Sequence, residues 1–272
     1  MDLPLVVGVD GSESSLAALD WAVDEAARHG LPLRLVQASL WERYEGLTSG
    51  PPEPSEQEMA ERVVSCAVER ARLRNAEVEV FGEVLAEDPA EALVHESRHA
   101  FAVVVGSLGH GRLAGMLLGS VGLAVAGRGH CPVVVVRGPR INREGRFRRV
   151  VLGAADDTPP SSPAVAFAVR EARARGGELL ALHIRRPFGN EPGLNDLERA
   201  LGERLGDDTA AHARLETAEG CARKVLLDTA STADLLVVGA RRRHGSAGLQ
   251  LGRVNHAVLH HAPCPVAVVP EE

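Results

Sequence analysis

A chain of 272 residues with 45% apolar and 25% charged content has room for two hydrophobic cores and the balance of a globular protein. Aromatic residues make up only 3%, so those cores must be built from Ala, Val and Leu, as in layered α/β folds. The net charge of -7 argues against a general nucleic-acid or acidic-membrane binder, no apolar run approaches the length of a membrane helix, and no signal-peptide pattern opens the chain. Cys66, Cys131, Cys221 and Cys264 form no CxxC pair, which suits small buried side chains in a reducing, cytoplasmic setting.

Residues 5–10 are a short β run that ends in Asp10. Ser12 or Ser14 can cap the helix that follows, whose apolar stripe is Leu16, Leu19, Val23 and Ala27. Ligands of open α/β sheets sit outside the carboxyl ends of strands, where Asp10 would accept hydrogen bonds from ribose hydroxyls. The other reading of Asp10 is an N-cap carboxylate that touches no ligand. Residues 31–37 read as a second strand. The polar stretch 41–57, with Gly50, Pro51, Pro52 and Pro54, reads as a long loop, either a lid beside the site or a disordered excursion. A helix over 58–74 and a strand over 76–84 follow, then Asp88-Pro89 starts a helix that continues over 90–100.

Residues 102–137 carry the main motif. The valines at 103–105 stop at Gly106, a loop holds Gly109, Gly111 and Gly115, and Gly119-Ser120 opens a helical segment before the valines at 133–136. Glycines let backbone N–H groups approach a ligand, and a helix start offers unpaired donors and the positive end of its dipole. Together they predict an anion site, most often for phosphate. His110, inside the loop, either reaches that phosphate or is an exposed loop histidine. Five strands alternating with four helices favour parallel βαβ units.

The spacing Gly106-x2-Gly109-x9-Gly119-Ser120 resembles the nucleotide-binding signature of the ATP-binding branch of the universal stress protein family. The resemblance covers nearly the whole chain, as two tandem copies. It implies two open-sheet α/β/α domains, each a five-stranded, mostly parallel sheet in strand order 3-2-1-4-5 with four helices. It also implies a nucleotide site made by Val9, Asp10, Ser12, Val36, Ala38, Val105, Gly106, Gly109, His110, Gly111, Gly119, Ser120 and Val121, with the adenine near residues 36–38. The implied ligand is ATP or another adenine nucleotide, whose phosphates and waters could hold Mg²⁺ with few protein ligands, and the implied partners are the domains themselves, paired through their last strands, and a second chain in a homodimer. Gly122 departs from the family, which often has a small hydroxyl residue there.

The basic stretch 139–147 reads as a linker between domains at 1–138 and 148–272. After it the plan restarts: strands over 149–153 and 178–184, helices over 161–175 and 194–205, and last strands over 233–239 and 265–270. Asp156-Asp157 stands about where Asp10-Gly11 stood. Shifting by 133 lays residues 103–136 on 236–269 without a gap, with about fifteen identities. Arg242 replaces Gly109 and Arg253 replaces Ser120, so the second copy is expected to hold a degenerate site. His256, His260, His261 and Cys264 imitate metal ligands, but the histidines match Leu123, Gly127 and Arg128 in the first copy, and no metal is expected.

The first copy has no Lys, and no paired carboxylates stand by its glycine loop, so the pattern supports holding a nucleotide rather than turning it over. The alternatives are a stress-related interaction module without nucleotide and a slow ATP hydrolase.

Overall fold

In a computed structural model of the protein the described residues are 3–40, 55–109, 118–154, 162–185, 192–205, 212–241 and 251–271. The chain divides into two compact units, residues 1–136 and 137–272.

The first unit runs β1 (Leu5–Gly8), α1 (Glu13–His29), β2 (Leu33–Ala38), α2 (Glu56–Arg74), β3 (Val80–Leu85), α3 (Pro89–Glu96), β4 (Ala102–Gly106), α4 (Ser120–Arg128) and β5 (Val133–Val136). Its strands lie in the order β3-β2-β1-β4-β5. All four pairings are parallel, Leu5 facing Leu33 on one side and Ala102 on the other. Strands buried on both faces read as unbroken Val and Leu runs, and β4 and β5 are nearly solid valine with side chains at most 4% exposed. α1 packs with α2 and α3 with α4, and right-handed crossovers put the two pairs on opposite faces of the sheet.

Local chemistry sets the helix ends. Ser12 caps α1 by accepting from the Ser15 N–H, and Gly30, at φ 64°, ends it in the left-handed conformation that glycine adopts freely. Ser55 and Glu58 form a reciprocal capping box on α2, and Asp88 accepts from the amides of Ala90 and Glu91 with Pro89 in the first turn of α3.

The second unit contains α5 (Arg140–Arg143), β6 (Arg149–Ala154), α6 (Pro163–Arg175), β7 (Glu178–Arg185), α7 (Pro192–Leu205), β8 (His212–Glu219), α8 (Ala222–Ala230), β9 (Leu235–Arg241), α9 (Arg253–His261) and β10 (Val266–Glu271). Its order is β8-β7-β6-β9-β10, the same 3-2-1-4-5 pattern, again parallel. The expected fold class is what the two units adopt.

Three local differences from the sequence reading have physical causes. The third strand begins at Val80 rather than at 76, because Asn75 accepts from the Glu77 N–H and turns the chain there. β8 and α8 carried no clear sequence signal. β8 is an edge strand with exposed or half-buried residues throughout, so it lacks the apolar run of its neighbours. Finally, residues 139–147, read as a linker, include the short helix α5. Asn142, 1% exposed, donates through Nδ2 to the carbonyls of Ser231 (3.2 Å) and Ala233 (2.8 Å) beyond the end of α8.

Candidate functional site

In the first unit, β1 leads through α1 to β2 on one side, while β3 returns through α3 to β4 on the other. The carboxyl ends of β1 and β4 therefore flank a topological switch point. A cleft of about 400 Å³ opens there, within the range of small-molecule sites. Of the residues expected in a site, β1 and the residues after it supply Val9 and Asp10, and β2 supplies Val36 and Ala38. β4 and its loop supply Val105, Gly106 and Gly109, and the start of α4 supplies Gly119, Ser120 and Val121. Ser12 stands behind the cleft as the α1 cap. His110 and Gly111 lie outside the described residues. The sequence reading missed Gly8, Ser15, Leu108 and Gly122, and also Pro89 and Leu93, which close the cleft from α3. Those two sat in a predicted helix with no motif of their own; only the handedness of the crossover could have brought that helix to the site.

One side of the cleft is apolar, formed by Val9, Val36, Pro89 and Leu93. The other is a row of backbone donors. Gly119 caps α4 with no side-chain hydrogen bond, and the first intrahelical bond runs from the Leu123 N–H to the Gly119 carbonyl. The amides of Ser120, Val121 and Gly122 precede it, so the positive end of the helix faces the cleft with donors the helix itself does not use.

Asp10 ends β1 at the mouth. Its Oδ1 accepts from the Ser12 N–H at 2.9 Å across a turn in which Gly11 has φ 82°. Its Oδ2 lies 2.8 Å from where a Cβ on Gly109 would stand. Gly109 does not have a positive φ, and a side chain there would meet the tip of the Asp10 carboxylate rather than a strained backbone angle. Gly119 is different: a Cβ on it would meet nothing closer than 3.7 Å. Protein packing does not require glycine at that position, and the space it leaves is part of the cleft.

In the second unit the described residues bring polar side chains to the corresponding strand end. Asn255, which matches Gly122, donates from Nδ2 to the Gly239 carbonyl at 2.9 Å. Arg253 stands at the start of α9 in place of Ser120. Glu271 reaches from β10 against Gly239 and accepts from Ser162 Oγ at 2.5 Å and the Ala164 N–H at 3.3 Å. Arg242, Arg243, Asp156 and Asp157 lie outside the described residues. On α9 the His256 and His260 rings stack at 4.3 Å, and burial, helped by His256, His261 and Arg137, lowers the His260 pKa. Burial pushes the Cys131 and Cys264 thiols up to about 12, so both stay protonated at neutral pH.

Comparison with known proteins agrees across both units. The model of the universal stress protein family matches residues 3–137 and again 147–270. A universal stress protein of Mycobacterium tuberculosis is 33% identical over 287 residues, covering 97% of this chain and 96% of the relative. One from Mycolicibacterium smegmatis is 34% identical over 286 residues, with coverage of 97% and 96%. Among solved structures, a universal stress protein from Archaeoglobus fulgidus superimposes with a TM-score of 0.73 at 18% identity, covering 99% of this chain and 98% of that one.

Proposed function

The chain belongs to the universal stress protein family, and from that premise we propose that its first unit binds an adenine nucleotide, ATP with its own Mg²⁺, as a nucleotide-dependent regulator in stress. The observation that carries this reading is the pairing of an apolar slot with the uncapped start of α4 across one cleft. A purine fits between Val36, Pro89 and Leu93, and Asp10 at the mouth accepts from ribose hydroxyls. The phosphates lie along Gly109, Gly119 and Ser120, where a missing Cβ lets amides approach. Mg²⁺ would be held mainly by phosphates and water, since the first unit has no Lys and Asp10 is the carboxylate of the cleft lining. Holding, rather than hydrolysing, is what such a site does. The second unit serves as a structural partner, and the chain works in the cytoplasm as a homodimer.

The test is direct. Protein purified without added nucleotide is denatured and the supernatant run on an anion-exchange column, and a separate folded sample freed of nucleotide is titrated with ATP and Mg²⁺ by calorimetry. About one adenine nucleotide per chain is expected. Gly109→Arg, which copies Arg242 of the second unit, should abolish retention. Unchanged retention in that variant refutes this placement of the phosphates.

A further inference from the structure

Resting on that reading of the cleft, we infer that Ser14 is a positioning residue: from the first turn of α1 its hydroxyl fixes the entrance of the glycine loop where the phosphates meet Gly109 and α4. Ser14 does not line the cleft, and it acts through the backbone of residues 107–109.

The contacts form a latch. Ser14 Oγ accepts from the Leu108 N–H at 3.1 Å and lies 3.4 Å from Ser107 Oγ. On its other side the same segment is tied to α4, since the Ser107 carbonyl accepts from the Gly119 N–H at 2.7 Å. The peptide between residues 107 and 108 thus bridges two helix starts, its carbonyl bonded to the start of α4 and its N–H to Ser14, while the Leu108 carbonyl accepts from Ser12 Oγ at 3.5 Å. The approach is possible only because residue 106 is glycine. A Cβ there would stand 2.6 Å from Ser14 Oγ and 2.7 Å from its backbone C and O. Gly106, which the sequence reading assigned to the ligand cradle, therefore makes room for Ser14 as well.

The second unit offers an internal control. Ser14 is the second residue of α1, and the second residue of α6 is Ala164. Gly239, the counterpart of Gly106, is faced there by the Glu271 carboxylate instead of a serine. The unit in which Arg242 replaces Gly109 also lacks a hydroxyl at the position of Ser14.

The experiment compares the full wild-type chain with Ser14→Ala, titrating each with ATP and with adenosine, which lacks phosphates. Losing one hydrogen bond that holds the phosphate side should weaken ATP binding roughly three- to tenfold. Adenosine affinity should stay within about twofold, since its contacts in the slot are untouched. The Leu108 amide should exchange with solvent faster in the variant than in the wild type. Equal losses for the two ligands, or unchanged ATP affinity, overturn the assignment, as does unchanged Leu108 exchange. A wild-type chain that binds neither ligand overturns the nucleotide reading and Ser14's role with it, whereas wild-type binding beside an unaffected variant overturns only the latter.

Discussion

Glycines 106 and 119 lie at the two ends of one motif yet answer to different constraints. Alanine at Gly106 would drive a methyl group into the backbone of Ser14 at 2.7 Å, and backbone in the first turn of a helix cannot yield cheaply. Gly106→Ala should cost about 1–3 kcal/mol whether or not a ligand is present. Gly119 has φ -74° and no close neighbour, so alanine is sterically acceptable to the protein alone. Gly119→Ala should shift the apo thermal midpoint by less than about 3 °C, while its methyl group occupies phosphate space and weakens ATP at least about tenfold. Thermal melts with and without ATP separate the two cases; equal apo melting losses in both variants would contradict the contrast. His260 gives a residue-scale pH dependence. Its folded pKa is lowered by burial first, then by His256, His261 and Arg137, so near pH 6.5 the folded chain holds fewer protons than the unfolded one. Stability should therefore rise with pH through that region and fall on acidification. Urea denaturation at pH 5.5 and 7.5 should show a smaller difference in His260→Gln than in the wild type.

At the scale of elements, the legible parts were those whose signal is local. β4 and β5 declare themselves as valine runs cut by glycine and proline, and the Asp88-Pro89 cap marked α3 because both residues act on the backbone next to them. Pro89 and Leu93 were not legible as cleft residues, since their part depends on where a whole helix lands on the sheet. β8 was hidden because an edge strand can be polar on both faces, and α5 because its anchor is distant: Asn142 finds its acceptors about ninety residues later. Only the folded chain brings Ser231 and Ala233 to it. Asn142→Ala removes the donor from buried carbonyls and should cost about 1–3 kcal/mol. Urea unfolding monitored by circular dichroism measures this, and a loss confined to the second unit is expected.

Across the whole molecule, one duplicated plan has been filled in two ways. Both units keep the five-strand parallel order, a glycine at the fifth position of the fourth strand and the buried cysteine before the fifth strand. They part where the first leaves Gly122 and the second places Asn255. The fold tolerates either solution because the core lies beneath, in strands that share most of their valines. That split was visible in the sequence as Gly109 against Arg242, but Asn255 and Glu271, which bond around the corresponding strand end, stood out in no motif.

The Asn255 amide is covalently part of the chain, so dilution cannot remove it and rising solute levels cannot displace it. If the cleft of the first unit takes a solute that exchanges with its surroundings, then that half of the molecule registers metabolic supply. Where the sites of two paired chains fill independently, occupancy follows a simple saturation curve, a graded gauge rather than a threshold.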